Sequence, residues 1–291
     1  MIKVTLGLCV KNVEKTIADA MDSILKQDFP TENMELIIVD GFSNDGTLEI
    51  IEKYLRQLNI KFAVFKEKKG LGFARQLVVE RAKGKYIIYV DGDMIMARDF
   101  VAKQVKFMEK NPKIGMAIGK FQVPSKKVNW IENLENILWI TEDKLFDNVT
   151  LSKTLRSTVC GAIFRTEALK QAGGFDPRIK GAGEDMDVYI KTRKIGWLLY
   201  STTDALFCDR RKDNLRSLWR ENFWYGYGGH YILHKHKNNG VIRPSRFFYF
   251  IKVYKMTKQK IAFLLPLIYF FEKFAWGMGY MRAHLDNYGH E

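Results

Sequence analysis

The chain has 291 residues, 47% of them hydrophobic and 27% charged, so it has the composition of a globular protein and the length of about two domains. This composition excludes disordered and fibrous proteins, and only 6 prolines and 22 glycines leave no room for a long Pro/Gly-rich linker. The formal charge is +14, of which a net +10 lies in residues 208–260, and such a basic stretch favours an anionic partner: nucleic acid, anionic lipid or a phosphorylated substrate.

The first hundred residues alternate strand and helix patterns. Apolar strands are predicted at 3–10, 35–40, 61–65 and 86–90, and apolar residues recur at helical spacing in the segments between them. This alternation predicts an open, largely parallel β-sheet with right-handed crossovers and helices on its faces. The first strand meets polar residues too early for a signal peptide.

The pattern is less regular beyond residue 94. Helices are predicted at 99–110, 130–146 and 184–195, and extended segments at 114–123, 157–165 and 197–208. A glycine-rich loop, 173–183, precedes the last of these helices. The three cysteines are far apart and form no Cys-x-x-Cys pair, which argues against disulfides and zinc and favours a reducing, cytosolic compartment.

Residues 211–291 are predicted to form a basic and aromatic helical tail. Its longest apolar run, 261–271, is shorter than the roughly 20 residues that span a bilayer, and Glu272 and Lys273 follow it. The run and the basic residues before it predict a helix on an anionic membrane surface, with core packing or a dimer interface as the alternative. Three histidines in the tail are interpreted as solvated or interfacial residues rather than ligands: His230, His234 and His236.

Polar residues gather where the predicted strands end, which is where open α/β sheets bind their ligands. Asp91 and Asp93 flank a glycine after the fourth strand, and paired carboxylates are suitable ligands for Mg²⁺ or Mn²⁺, although a simple turn is the alternative. Asp40 ends the second strand and is predicted to accept hydrogen bonds from a base or ribose.

Two further segments carry charged groups for this edge. Lys69, Gly70 and Arg75 follow the third strand and are predicted to approach phosphate, but the segment lacks the third glycine of a dinucleotide fingerprint and the Gly-Lys-Ser/Thr of a P-loop. Three carboxylates begin the helix at 184. Glu184 and Asp187 are interpreted as helix caps, and Asp185 as the general base if it faces the cleft.

Read together, five elements resemble a family 2 glycosyltransferase of the GT-A fold, and the resemblance covers about residues 1–230. The elements are Asn12, Val-Asp-Gly-Phe-Ser-Asn-Asp-Gly-Thr at 39–47, Gly-Phe-Ala-Arg-Gln at 72–76, Tyr-Val-Asp-Gly-Asp at 89–93, and Gly-Gly-Phe-Asp at 173–176 followed by Gly-Glu-Asp at 183–185. The resemblance implies a GT-A catalytic domain at 1–210, with a nucleotide-sugar half (1–98) and an acceptor half (99–210), followed by a membrane-associating extension at 211–291.

The resemblance also implies an activity: inverting transfer of a sugar from a nucleotide diphosphate donor, with Mg²⁺ or Mn²⁺, to a lipid-linked or glycan acceptor. A UDP-sugar is the favoured donor and a GDP-sugar the alternative. It assigns roles to residues as follows: Val10 and Asp40 on the base and ribose, Arg75 and Asp91 on the nucleotide, Asp91 and Asp93 on the metal, and Asp185 as catalytic base.

The sequence departs from the family pattern in two places. The usual Pro-Thr-Tyr-Asn after the first strand is Cys9-Val10-Lys11-Asn12, so a contact at Val10 must come from its backbone. The Gln-x-x-Arg-Trp motif of processive members is absent, which disfavours polymer synthesis. We therefore expect a cytoplasmic enzyme bound peripherally to the membrane, with no nucleic-acid partner. The alternatives are a nucleotidyltransferase and a basic nucleic-acid- or membrane-binding protein without catalysis.

Overall fold

The computed structural model describes residues 1–123, 128–146, 158–200, 202–237 and 249–289. The strands are β1 (Val4–Val10), β2 (Met34–Asp40), β3 (Lys61–Lys66), β4 (Tyr86–Asp91), β5 (Met94–Met96), β6 (Ile114–Ile118), β7 (Lys120–Phe121), β8 (Ala162–Arg165), β9 (Leu198–Tyr200) and β10 (Leu206–Asp209). The helices are α1 (Ile17–Leu25), α2 (Thr47–Leu55), α3 (Leu71–Arg81), α4 (Phe100–Lys110), α5 (Trp130–Phe146), α6 (Thr166–Gln171), α7 (Glu184–Lys194), α8 (Leu215–Lys235), α9 (Tyr249–Thr257) and α10 (Leu265–Leu285).

A seven-stranded sheet with helices packed on it confirms the α/β prediction. Its order is β3-β2-β1-β4-β8-β6-β9, and β8 alone pairs antiparallel with its two neighbours. Every residue of β1 and β2 is buried, which is why these strands read as continuous apolar runs and not as alternating ones. Two hydrophobic clusters cover the sheet, one on each face: Leu6, Leu8 and Ile38 belong to one, and Val39, Tyr89 and Phe164 to the other.

The strand register brings the carboxyl ends of three strands to one edge. Val10 lies opposite Asp40 in the parallel pair of β1 and β2, and Cys9 lies opposite Asp91 in the pair of β1 and β4. Since β1 lies between β2 and β4, the strand ends that carry Asp40 and Asp91 are about 10 Å apart.

A second, three-stranded sheet lies beside this edge in the order β5-β10-β7. The predicted strand at 197–208 is wrong in extent, because the structure divides it into β9 in the large sheet and β10 in the small one. In β10, Asp209 pairs with Met94 of β5. The segment 114–123 is likewise two strands, and β5 and the short α6 were not predicted. Three-residue strands and a six-residue helix are too short to show a period. Of the predicted strand at 157–165, Ser157 lies outside the described residues.

The C-terminal helices pack against one another and against the rest of the described chain. Helices α5, α8, α9 and α10 share a third hydrophobic cluster that includes Leu134, Leu218, Val253 and Ile268. The segment Lys260–Leu285 is long and apolar enough to cross a membrane by length and composition, and 22% of its most apolar window is buried.

Helix α8 approaches its neighbours at positions where only glycine fits. A Cβ at Gly226 would lie 1.9 Å from the backbone oxygen of Trp276 in α10, and a Cβ at Gly279 of α10 would lie 1.8 Å from the backbone oxygen of Phe223 in α8. On another side of α8, a Cβ at Gly228 would lie 1.5 Å from the carbonyl oxygen of Ala182, just before α7. Helix α8 is therefore packed between α10 and the loop that leads into α7.

Candidate active site

The side chain of Arg75 links the two halves of the predicted site. Its guanidinium lies 3.1 Å from the Asp91 carboxylate and also donates to Glu184 in a second ion pair. Arg75 and Glu184 are each only 5% exposed, and a buried ion pair of this kind is strongly favoured over either charge alone. Burial lowers the pKa of the Arg75 guanidinium, but the negative charges of Glu184 and Asp91 together outweigh burial and hold this pKa above its usual value. The first turn of α7 is thus fixed to the carboxyl end of β4.

Asp185 follows Glu184 and lies in the same turn of α7. The turn begins after Gly183, which has φ +112°, a backbone conformation in the left-handed region that favours glycine. The Asp185 carboxylate is partly exposed, accepts a hydrogen bond of 2.7 Å from the Met186 N–H, and is close enough to Arg75 to raise the pKa of its guanidinium. The sheet edge and the start of α7 therefore face each other across Arg75.

Asp93 lies in the turn between β4 and β5, where three carboxylates are near one another. Burial, together with repulsion from Asp91 and Asp209, raises the pKa of Asp93 to about 7. Burial also raises the pKa of Asp209, against the opposing effect of Arg211. The charge of this cluster is only partly balanced in the protein, which is the environment of a site for an added cation.

Basic side chains lie on the other side of Asp209. The Arg211 guanidinium is 2.8 Å from the Asp209 carboxylate and is stacked 3.8 Å from the ring centroid of Trp139. Cys160 donates its thiol proton to the same carboxylate over 3.6 Å. Lys212 pairs with Glu221 at 3.4 Å, and Glu221 and Asp93 raise the pKa of its amine, although burial lowers it. Asp209 is therefore held in a fixed orientation beside the Asp91–Asp93 turn.

The predicted donor residues before α3 have local partners of their own. The buried Glu67 carboxylate accepts hydrogen bonds from the backbone N–H groups of Lys69 and Gly70, at 2.5 and 3.0 Å. The Lys69 amine is exposed and lies 4.5 Å from the ring centroid of Phe73. Gly70 has φ +107° and open space around it, so backbone can approach a ligand there.

The two residues predicted to contact the base and ribose, Val10 and Asp40, lie at the same edge of the sheet. Both are buried, whereas contact with a ligand needs an accessible group. Asp40 is fully buried, and both of its carboxylate oxygens accept from the Ser43 N–H at 3.2 Å. The carbonyl oxygen of Val10 accepts from the Gly41 N–H at 2.8 Å. Both residues therefore shape the turn after β2, and their contact with a nucleotide stays a prediction.

The capping interpretation of Glu184 and Asp187 is wrong. Glu184 pairs with Arg75, and the fully buried Asp187 accepts from His236 at 2.8 Å and pairs with Lys235 at 2.7 Å and with Lys191 at 2.9 Å. Burial raises the pKa of Asp187, but the hydrogen bonds from His236, Lys235 and Lys191 outweigh burial and lower this pKa to about 2. These residues join the end of α8 to α7.

The structure agrees with the interpretation of the three histidines as solvated or interfacial, with one exposed and two at contacts between helices. His236 is 5% exposed because it binds Asp187. His230 is fully buried between α8 and α10, where one ring nitrogen lies 2.6 Å from the carbonyl oxygen of Tyr288. His234 is exposed. The helical pattern places the three on α8 or its end, but it cannot show that α10 covers part of that helix.

A divalent cation fits the residues at the turn after β4. Among the described residues, no group of three or more His, Cys, Asp or Glu side chains is arranged to enclose a metal ion. Mg²⁺ and Mn²⁺ sites are often built from one or two carboxylates completed by substrate phosphate oxygens, however, and Asp91 and Asp93 supply such a pair. The partly uncompensated negative charge around Asp93 favours a cation in this place.

Sequence reasoning missed two residues of this site. Glu184 was interpreted as a cap because acids are common at helix starts, and its partner Arg75 is 109 residues away in sequence. Asp209 ends a strand of a separate sheet, so its position beside Asp93 depends on the pairing of β5 with β10. Its place at the end of the apolar run 197–208 was the available signal.

The sequence matches the family described as "Glycosyl transferase family 2" over residues 5–173, which is more than half of the chain. Poly(ribitol-phosphate) beta-N-acetylglucosaminyltransferase TarS of Staphylococcus aureus is 28% identical over 203 residues, covering 68% of this chain and 34% of TarS. The chain thus spans about a third of the length of this curated relative.

Solved structures show the same fold. The mannosyltransferase PcManGT from Pyrobaculum calidifontis, in complex with GDP-Man and Mn²⁺, superposes with a TM-score of 0.60 at 17% identity, over 98% of this chain and 74% of that one. S. aureus TarS 1–349 in complex with UDP-GlcNAc superposes with a TM-score of 0.56 at 17% identity, over 99% and 92%. The architecture is the GT-A fold.

Proposed function

The chain belongs to glycosyl transferase family 2, and we propose that it transfers a sugar, with inversion, from a nucleotide diphosphate donor to a lipid-linked or glycan acceptor. The observation that carries the proposal is the convergence of Asp91, Arg75, Glu184 and Asp185 from β4, α3 and α7 at one edge of the sheet. Sites of open α/β sheets lie at this edge.

Each group has a role in a single displacement. The Asp185 carboxylate takes the proton of an acceptor hydroxyl, the acceptor oxygen bonds to the anomeric carbon, and the bond from that carbon to the diphosphate oxygen breaks on the opposite side. The electron pair of the broken bond leaves with the nucleoside diphosphate. Arg75 keeps Asp91 and α7 in place, and Lys69 lies on the loop where diphosphate charge has to be met.

Mg²⁺ or Mn²⁺ bound by Asp91 and Asp93 would neutralise charge on the diphosphate. We propose a UDP-sugar as the donor, because a relative and a solved structure of the same fold concern an N-acetylglucosaminyltransferase, one of them with UDP-GlcNAc. A GDP-sugar is the alternative, since PcManGT of the same fold holds GDP-Man. Val10 and Asp40 are proposed to flank the base and ribose.

We further propose a catalytic domain at 1–210, whose first 98 residues bind the donor, and a C-terminal extension at 211–291 that holds the enzyme at the cytoplasmic face of a membrane. The basic residues of the extension and the apolar segment Lys260–Leu285 support this location. A membrane location fits a lipid-linked acceptor.

The experiment compares wild type with Asp185→Asn and with the control Asp28→Asn, which changes an exposed carboxylate after α1. With UDP-GlcNAc or GDP-Man, Mn²⁺ and a hydroxyl acceptor, Asp185→Asn is expected to lower kcat about 10²- to 10⁴-fold because the general base is lost. Nucleoside diphosphate release is the readout.

Three outcomes would contradict the proposal. Formation of pyrophosphate from UTP and GlcNAc 1-phosphate, with no release of UDP from UDP-GlcNAc, would identify a nucleotidyltransferase. An unchanged rate in Asp185→Asn with a hydroxyl acceptor would remove Asp185 from the mechanism. A wild-type protein whose Tm shifts with no nucleotide sugar, with or without Mn²⁺, would remove the donor assignment.

A further inference from the structure

An exposed stripe of large apolar side chains runs along the outer face of α10 and the 3-10 turn before it. Its members recur every three or four residues and are 40 to 75% exposed: Phe263, Leu267, Phe270, Phe274, Met278, Met281 and Leu285. At 1.5 Å per residue the stripe is about 33 Å long. An unbroken exposed apolar surface of this length is unusual on a soluble monomer and marks an interaction surface.

The opposite face of α10 is occupied by the protein itself. Ala275, Gly279 and Ala283 are buried, and the close contacts at Gly226 and Gly279 press α10 against α8. The stripe is therefore what the α8–α10 contact leaves uncovered. It is held in place along its length by a second helix.

The surroundings of the stripe are basic. Helix α9 lies beside its first turn, since the Phe263 ring centroid is 5.0 Å from that of Tyr254. The exposed lysines on α9 and the turn that follows it are Lys252, Lys255, Lys258 and Lys260. Lys273 is exposed on α10 itself, with its amine 5.3 Å from the ring centroid of Tyr269. Lysines and aromatic rings that flank an apolar helix face are typical of helices at an anionic lipid surface.

We propose that the α10 stripe lies in the interfacial layer of an anionic membrane, parallel to its plane, and anchors the protein without crossing the bilayer. This inference deepens the proposed membrane location and rests on it. A second copy of the chain is a poorer occupant, because it would bring the same positive charge to the interface. Anionic lipid brings the opposite charge.

An interfacial position is favoured over a spanning one by what α10 is attached to. Its partner α8 exposes Arg216 and Arg220, and these charges would have to enter the hydrocarbon with α10. In the interfacial layer, only the outer stripe meets acyl chains, and Lys273 reaches the headgroups.

The test measures co-sedimentation of the whole chain with vesicles, without any nucleotide sugar. The vesicles are phosphatidylcholine alone or phosphatidylcholine mixed with phosphatidylglycerol. The test variant is Phe270→Glu/Phe274→Glu, and the matched control is Phe62→Glu/Val64→Glu, which places the same two charges at 49%- and 42%-exposed apolar residues of β3. Circular dichroism and Tm establish that each variant folds, and Phe270→Ser/Phe274→Ser replaces the test variant if it does not.

We expect wild type and the Phe62→Glu/Val64→Glu control to bind the anionic vesicles, to bind phosphatidylcholine alone at least tenfold more weakly, and to be released by alkaline carbonate. The double variant should bind at least tenfold more weakly than wild type. Wild type that stays in solution, or a double variant that binds as wild type does, would overturn the proposal.

Two further outcomes would also overturn it. Resistance to carbonate extraction would indicate a spanning helix. A wild-type dimer in solution that the double variant converts to a monomer, with no vesicle binding by either, would assign the stripe to a second copy. Because the assay contains no donor, failure here leaves sugar transfer untouched, and failure of sugar transfer leaves vesicle binding to be measured.

Discussion

The Arg75 side chain forms contacts inside the protein, although its position in the sequence predicted contact with a ligand. A basic residue after a glycine-rich turn predicts contact with phosphate. In the structure, however, this guanidinium forms ion pairs with Asp91 and Glu184 inside the protein. Its contribution to the site is therefore to position the carboxylates of two elements. Replacing it would leave the buried Glu184 carboxylate and the partly exposed Asp91 carboxylate without this cation, which costs more than losing a fully exposed ion pair.

The ionisation of Asp93 predicts a pH dependence of metal binding. Its pKa is raised from 3.8 to about 7, so the folded protein holds this proton more tightly than the unfolded chain does. The stabilisation that results is fully present below about pH 4 and is lost as the pH rises through about 7. A cation that binds the ionised carboxylate must displace the proton at low pH and reverses this loss at high pH.

We therefore expect the increase in Tm caused by Mn²⁺ to grow from pH 6 to pH 8 in wild type. With a pKa of about 7, the ionised fraction rises about tenfold over that range, which corresponds to about 1.4 kcal/mol in metal binding. Differential scanning fluorimetry at fixed Mn²⁺ concentration measures the shift. Asp93→Asn should abolish the growth and Asp28→Asn should keep it; an equal shift at both pH values in wild type would exclude Asp93 as a ligand.

At the scale of elements, the contact between α8 and α10 depends on backbone atoms meeting at glycines. Periodicity along either helix predicts an apolar face but does not reveal which glycines are needed for contact. The two glycines of α10 differ in this respect: Gly279 faces Phe223 of α8, and a Cβ at Gly277 would meet nothing within 4 Å.

Gly279→Ala is expected to destabilise the protein by at least about 1–3 kcal/mol, because its Cβ would overlap backbone atoms that cannot rotate away. Gly277→Ala is the control in the same helix and should stabilise by about 0.5–1 kcal/mol, since alanine loses less entropy in a helix. Urea unfolding measures both. Equal effects of the two substitutions would show that the close contact does not limit the packing of α10.

The strands β1 to β4 were predicted correctly because each of them contains an apolar run between turns, and β1, β2 and β4 are buried. The site was predictable to the extent that its residues follow those strands directly, as Asp40, Asp91 and Asp93 do. Glu184 and Asp209 escaped prediction because their places depend on contacts between distant segments. The burial of His230 escaped it for the same reason, as did the fully enclosed carboxylate of Asp40.

The molecule as a whole is expected to unfold as one unit, although sequence reasoning proposes a boundary at residue 210. Helix α8 contacts both α10 and the loop before α7, and the cluster containing Leu134 joins α5 to the C-terminal helices. Calorimetry should show a single transition for wild type. A fragment of residues 1–210 should have a Tm lower by about 10 °C or more, because it exposes apolar side chains of α5.

Two separate transitions would contradict this expectation. So would a fragment that keeps the wild-type Tm and still binds the donor, since the extension would then be an independent attachment. In either case, the segments before and after the proposed boundary at residue 210 would fold independently of each other.

The glycine contacts at 226, 228 and 279 have a consequence for how events at one end of the molecule reach the other. Backbone touches backbone from α10 through α8 to Ala182, three residues before the proposed catalytic base, so no compressible side chain intervenes. A substitution that separates α8 from Ala182 is therefore expected to disturb the start of α7, which carries Asp185. The turn that carries Asp185 thus rests on backbone supplied by the C-terminal helices, and a fragment of residues 1–210 lacks that support.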